Sequence, residues 1–216
     1  MAECIVVGNG GGGTETIIGG LPKINNVSFC GTLNMIGECW VDNYITYTNY
    51  IKTTNPVSLD NADSWKICVH FKCSDTNYSY KQALFGAIQD YYYFPSIEIH
   101  DAGELWVGYT QSYNFWDSNL TLNNIIFDND EYYIVYYWNS TTSTVANIEI
   151  HNVTQGTFDT HEIAVGGAFY ASGNQEIEFG GICQSYNHNA QYISICLIDT
   201  YIEVNDEIVF GNKTNM

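Results

Sequence analysis

The sequence predicts an all-β protein built from two packed antiparallel sheets. The 216 residues include 18 Tyr, 10 Phe and 19 Gly, and such a composition favours pleated strands joined by tight turns. From about residue 39 onward, short segments of alternating apolar and polar residues recur between clusters of Asn, Asp, Gly, Ser and Thr. We count about ten or more such strands and almost no helix, which indicates a two-sheet sandwich.

Individual strands are predicted from the alternation. The segment 65–72 places Trp, Ile, Val and Phe on one face and Lys, Cys, His and Lys on the other, as expected of a strand with one partly solvated face. The stretch 132–138 is apolar on both faces and should lie centrally, and "NSTTST" then turns the chain into a strand at 145–150. Further strands are predicted at 82–88, 96–100, 104–110, 162–169, 175–180 and 192–204.

We predict three segments along the chain. Residues 1–20 form a glycine-rich N-terminal arm that cannot carry a core. Residues 21–38 form a linker with a loosely strand-like pattern, and residues 39–216 form the sandwich.

The charge balance excludes some partners. The chain has 24 acidic and 6 basic residues, a formal net charge of -18, and all of its bases are Lys. Without guanidinium groups or a positive field, we expect neither nucleic acid nor an anionic membrane as a partner. The seven irregularly spaced Cys, and an N-terminus without a basic and apolar leader, predict a protein made in a reducing cytoplasm with free thiols.

The arm contains G-x-G-x-x-G, a motif of dinucleotide sites, at Gly8, Gly10 and Gly13. That chemistry needs a helix directly after the glycines and an acidic residue about 20 positions on. Two glycines and Pro22 interrupt the segment after Gly13, so the required helix cannot form there. We therefore interpret the arm as an anchor that binds a protein through a short apolar strand, formed by Cys4, Ile5, Val6, Val7, Gly8 and Gly10.

The sequence offers two sets of acidic residues that could be considered for glycoside hydrolysis, and neither has the expected arrangement. Glu98 and His100 share a strand face, whereas Asp101 lies on the other face and "DAG" looks like a turn. Glu176 and Glu178 share a strand face, but they form only a pair and do not complete the glucanase-type spacing E-x-D-x-x-E. Because outward-facing acids are common on a sandwich, we predict no catalytic residues.

The strand order resembles a known fold family. The segments "SWKICVHFK", "QALFGA", "GELWVGY", "DEYYIVYYWN", "TVANIEI", "IEFGG" and "ISICLIDTYIEVNDEIVFGN" look like the concanavalin A-like lectin/glucanase fold, and more narrowly the laminin-G-like jelly rolls of phage virion proteins. The resemblance covers about residues 39–216 and implies a jelly-roll sandwich. It says little about function, because this sandwich carries lectins, glucanases and inert spacers alike.

A second resemblance lies upstream. The segment "LPKINNVSFCGTLNMIGE" is similar to one in head-fibre and tail-fibre proteins of tailed phages, and the matching positions are Pro22, Ile24, Asn25, Val27, Gly31 and Gly37. Together the two resemblances imply a non-enzymatic virion protein, made in the host cytoplasm and attached to capsid or tail proteins through its arm. Fibre-like modules of this kind are often homotrimers.

Carbohydrate binding is the alternative function, as an adhesion module for host-surface or mucus glycans, and a polysaccharide hydrolase of the same fold is the third. Aromatic side chains can stack on sugar rings, although core or subunit packing would use them equally well. The candidate sugar-binding residues are Tyr91, Tyr92, Tyr93, Trp106, Tyr109 and Trp116.

No cofactor or metal ligand is predicted. The spacing of Cys68, His70 and Cys73 fits no ordinary zinc module. Laminin-G-like domains often hold calcium at the rim of the sandwich, so the resemblance keeps calcium open at acidic loops such as 128–131, with no ligand assigned.

Overall fold

The described part of the chain consists almost entirely of β-strands. The computed structural model describes residues 27–30, 34–36, 39–42, 50–53, 55–59, 62–73, 82–87, 95–109, 118–139, 145–164, 174–175, 177–179, 195–197 and 200–211. In chain order the strands are β1 (Val27–Cys30), β2 (Asn34–Ile36), β3 (Cys39–Asp42), β4 (Tyr50–Thr53), β5 (Val57–Ser58), β6 (Ser64–Cys73), β7 (Gln82–Ala87), β8 (Pro95–His100), β9 (Glu104–Tyr109), β10 (Ser118–Leu122), β11 (Glu131–Asn139), β12 (Val145–Asn152), β13 (Thr157–Ala164), β14 (Asn174–Gln175), β15 (Ile177–Phe179), β16 (Ile195–Leu197), β17 (Tyr201–Val204) and β18 (Glu207–Gly211). A single 3-10 turn, Asp101–Gly103, joins β8 to β9.

The strands form two large sheets. A 7-stranded sheet has the order β1-β4-β15-β7-β8-β9-β10, and a 9-stranded sheet contains β13-β12-β11-β6-β16-β3-β2 together with β17 and β18. One edge of β6 pairs with β11 along its whole length, while β16 and β17 share its other edge. The strand pairs in both sheets are antiparallel, as are β5 and β14, which pair separately. This confirms the predicted pair of antiparallel sheets.

Alternation along β6 and β11 builds the core. Trp65, Ile67, Val69 and Phe71 are at most 2% exposed, which confirms the predicted apolar face of β6. The ring of Trp65 meets Tyr136 edge-on at 4.9 Å, and Phe71 stacks on Tyr132 at 5.5 Å. Full burial of such a side chain contributes about 1.5–3 kcal/mol, so this row of contacts fixes β11 beside β6 in the middle of the sheet.

The strand prediction is wrong in detail at β13. This strand begins at Thr157 and ends at Ala164, earlier than the predicted 162–169. Its first four residues, which include Phe158, are all exposed, yet they pair with β12 in continuous register. Backbone hydrogen bonding to the neighbouring strand β12 therefore determines the position of this edge strand, without an alternating apolar pattern. The sequence prediction also missed the short strand β10, which pairs with β9 and packs Leu120 and Leu122 against the core.

Two short strands come from the predicted linker. β1 pairs with β4 in the 7-stranded sheet, and β2 pairs with β3. The arm, including its anchor residues Cys4 to Gly10, lies outside the described residues, and the segment boundaries remain predictions. Within the described residues, no helix is long and apolar enough to cross a membrane.

Candidate functional site

Of the six predicted sugar-binding aromatics, only Trp106 has a described side chain. For Tyr109 the structure describes the backbone at the end of β9. The other four lie outside the described residues: Tyr91, Tyr92, Tyr93 and Trp116.

Trp106 belongs to a closed cluster on the 7-stranded sheet, on the face that points away from the core. It pairs in register with Glu98 on β8, and the ring of His100 stacks on it at 3.8 Å. Glu98 Oε2 lies 2.9 Å from His100 Nε2, and the two residues are 6% and 7% exposed. The shared strand face of Glu98 and His100 is confirmed. The carboxylate is paired with an imidazole and both are buried, so the cluster supports β8 and β9 more than it presents an open surface.

A concave site lies on the 9-stranded sheet, again on the face away from the core. This outer-face depression has a volume of about 550 Å³. Strand alternation turns the side chains on one face of β6, β11, β12 and β17 toward it. The side chains that matter most for its chemistry are Lys66, Tyr133, Tyr137, Glu149, Tyr201 and Glu203.

Cross-strand contacts order the polar groups of the depression. The Tyr137 hydroxyl donates to Glu149 Oε1 at 3.1 Å, and Glu149 Oε2 lies 3.6 Å from His151 Nε2. Across the sheet, Lys66 Nζ lies 3.5 Å from Glu203 Oε1. Burial, and then the hydrogen bond to Glu149, raise the pKa of Tyr137, so its hydroxyl stays protonated as a donor near neutral pH.

Below the polar groups lies a small apolar cluster around Cys68. Cys68 is fully buried and packs with Val135 and Tyr201, and Tyr133 lies against the same group. Burial raises the pKa of the Cys68 thiol, which hydrogen-bonds to Tyr133 and Tyr201. Cys68 does lie on the face predicted for it, but that face is dry at this point because the tyrosines cover it.

His70 and Asp130, which were both considered for metal sites, form hydrogen bonds within the protein. His70 Nε2 lies 2.8 Å from Glu131 Oε1. In the 128–131 loop, Asp130 Oδ2 accepts hydrogen bonds from Asn152 Nδ2 at 2.8 Å and Gln155 Nε2 at 2.6 Å. Over the described ranges, no group of three His, Cys, Asp or Glu side chains could hold a metal ion. Calcium binding therefore gains no support from this loop.

Sequence reasoning missed the tyrosines and acids of the depression. Tyr133 and Tyr137 lie in the stretch that was interpreted as apolar on both faces, and Glu149 is the polar partner of that stretch on the next strand. The alternation of β12, with Asn147, Glu149 and His151 on one side, is the signal that could have found this surface.

Comparison with solved structures identifies the architecture. The lectin UEA-II complexed with galactose matches with a TM-score of 0.53 and 12% identity over 83% of this chain and 93% of that one. The basic winged bean lectin with Tn-antigen matches with a TM-score of 0.52 and 9% identity over 83% and 93%. The fold is concanavalin A-like. The LG1-3 region of the laminin alpha2 chain matches with a TM-score of 0.47 and 12% identity over 80% of this chain and 32% of that one.

The concanavalin A-like sandwich confirms the fold implied by the first sequence resemblance. No protein-family model and no curated protein sequence matches the chain. At 9 and 12% identity the lectin matches show the fold alone, and neither lectin is a phage or fibre protein. The resemblance to phage fibres therefore remains an interpretation of the sequence.

Proposed function

We propose that this chain is a carbohydrate-binding module and that the outer-face depression is its binding site. The observation that carries the proposal is a concave site of about 550 Å³ in which tyrosine rings stand beside carboxylate, ammonium and amide groups. Lectins of the same fold, in complex with galactose and with Tn-antigen, support it. The volume is within the range of about 300–1,000 Å³ that is common for small-ligand sites.

The chemistry of the lining suits a sugar. A pyranose ring has an apolar face that can pack on an aromatic ring, and hydroxyls that need hydrogen-bond partners. Tyr137 and Tyr133 offer rings, while Glu149, Asn147 and Lys66 offer acceptors and donors in the same depression. Tyr137 is already held by its bond to Glu149, so less side-chain entropy is lost when a ligand binds.

The wide spacing of the strands that carry the carboxylates favours binding over hydrolysis. Glu149 lies on β12 and Glu203 on β17, three inter-strand steps apart through β11 and β6. At about 4.8 Å a step their backbones are roughly 14 Å apart, whereas glycosidases place two carboxyl groups about 5–10 Å apart. We therefore keep hydrolysis as the third candidate.

Display on a phage particle stays a proposal from sequence. In that arrangement the arm would bind capsid or tail proteins and the sandwich would present the depression outward. The chain would be a monomer or a homotrimer. Particles assembled with a chain lacking residues 1–20 test this proposal. Unchanged incorporation would refute the anchor without touching the carbohydrate proposal.

A glycan array probed with the full labelled chain tests carbohydrate binding. We expect hits for the wild type and about tenfold weaker binding for Tyr137→Ala, equivalent to about 1.4 kcal/mol. Phe158→Ala is the matched control, because Phe158 is exposed on the same sheet face beside His151 and does not line the depression. An array without hits, or equal losses in both variants, would contradict the proposal.

A further inference from the structure

The outer-face depression carries more negative than positive charge. Among the described residues that line it, Glu149, Glu203 and Asp206 are acidic, and Lys66 is the single lysine. Lys66 faces Glu203 at 3.5 Å, so these two charges largely offset each other. The remaining acids act within a chain of net charge -18. A ligand in the depression therefore meets a negative potential.

Tyrosine rings strengthen this preference. Tyr133, Tyr137 and Tyr201 line the same surface, and Tyr137 directly contacts Glu149. The face of an aromatic ring attracts cations through its quadrupole. Carboxylates and ring faces favour an ammonium group together, and both disfavour a sulfate or a second carboxylate.

We infer that the depression selects glycans without anionic groups and binds most tightly those whose hexosamine units carry free amino groups. This inference rests on the proposed function and adds the class of sugar. Acetylation of the amine removes its charge, so N-acetylated units should behave like neutral sugars. Sialylated, sulfated and uronic-acid chains bring like charge toward Glu149 and are rejected.

The arrangement of the acids across the strands also predicts that the ligand is an oligosaccharide and not a monosaccharide. Glu149 and Glu203 lie on strands whose backbones are about 14 Å apart, with the tyrosine-bearing strand β11 between them. A single hexosamine reaches either Glu149 or the Lys66–Glu203 pair, whereas an oligomer lying across the strands can hydrogen-bond to both. Affinity should therefore rise from the monosaccharide to the trisaccharide.

Calorimetric titration of the full chain with matched trisaccharides tests the inference. The probes are glucosamine, N-acetylglucosamine and glucose oligomers, with sialylated and sulfated oligosaccharides as the anionic set. We expect the free amine to bind about five- to tenfold more tightly than the acetylated form, as about 1 kcal/mol or slightly more between close charges allows. In about 1 M salt, where the screening length is about 3 Å, that preference should nearly vanish.

Three variants assign the preference to residues. Glu149→Gln should bring the amine and N-acetyl affinities close together, and Lys66→Met should widen the difference. Glu104→Gln removes a carboxylate from β9 in the other sheet and should leave the ratio unchanged. Binding of the glucose oligomer to each variant shows that the depression is intact.

The outcomes separate the two proposals. If anionic oligosaccharides bind as tightly as glucosamine oligomers, or if Lys66→Met abolishes binding, the inferred sugar class is wrong while carbohydrate binding stands. An amine preference that survives Glu149→Gln also overturns it. If no oligosaccharide of any class binds the wild type, the proposed function fails, and the inference fails with it.

Discussion

Replacement of Gly103 by Ala should destabilise the sandwich far more than the same change at Gly156. Both glycines have positive φ, +71° and +67°, and an L-residue in this region costs about 1–2 kcal/mol. At Gly156 a new Cβ would meet nothing within 4 Å, whereas at Gly103 it would clash with the Ile126 carbonyl oxygen. Gly156→Ala therefore isolates the conformational term.

The additional loss at Gly103 comes from the loop that packs on it. The Gly103 carbonyl accepts hydrogen bonds from the amides of Ile125 and Ile126, at 3.1 and 3.0 Å. To relieve the clash the two segments must separate by about 1 Å or more, and each hydrogen bond lost removes about 1 kcal/mol. We expect a total loss of about 3–5 kcal/mol for Gly103→Ala, against about 1–2 kcal/mol for Gly156→Ala.

Urea unfolding followed by tryptophan fluorescence measures both variants. The free energies of unfolding, extrapolated to water, give the difference directly. Equal losses in the two variants would refute the steric argument, because they would leave the positive φ as the only shared cause.

Further expectations concern the buried polar groups. Asp130→Ala should lower the free energy of unfolding by about 1–3 kcal/mol, because the buried amide of Asn152 and the amide of Gln155 lose an acceptor, while Asp159→Ala at an exposed edge position should change it little in the same urea assay. Glu98→Ala should be destabilising by a similar amount and Glu98→Gln less so, since Gln can still bond His100; equal losses would show that packing alone matters. Burial raises the pKa of the Cys68 thiol above its ordinary 9.0, so as pH rises the unfolded chain loses that proton before the folded chain does. The free energy of unfolding should therefore fall as pH rises above 9.0. A Cys68→Ala variant whose free energy of unfolding falls just as steeply with pH would contradict this.

The core strands could be predicted from sequence because their signal is local. Trp65, Ile67, Val69 and Phe71 alternate without interruption, and all four are buried as expected. The "DAG" turn was also predictable, and the structure places a 3-10 turn there. Alternation reports which face a residue occupies, and the hydrophobic effect then buries the apolar face.

The candidate site could not be predicted in the same way because it depends on register. Tyr137 and Glu149 are 12 positions apart in sequence, and Lys66 and Glu203 are 137 apart. A slip of one residue in any of these strand pairs would turn one partner to the other face. Aromatic content alone drew attention to the run at 91–93, whereas the depression is assembled from separated residues on four strands.

Cys68 offers a test of where the ligand binds, independent of which sugar it is. The thiol is fully buried against tyrosines that line the depression, and burial raises its pKa, so labelling at neutral pH requires Tyr133 or Tyr201 to move aside. An oligosaccharide held by these rings disfavours that opening. At about 100 times the dissociation constant it should slow labelling by up to about 100-fold, as measured by mass spectrometry of the Cys68 peptide. At the same sugar concentration the Tyr137→Ala variant, with its tenfold weaker binding, should be protected by only up to about tenfold. If the wild type is saturated with sugar and Cys68 is labelled as fast as before, the ligand binds elsewhere on the sandwich.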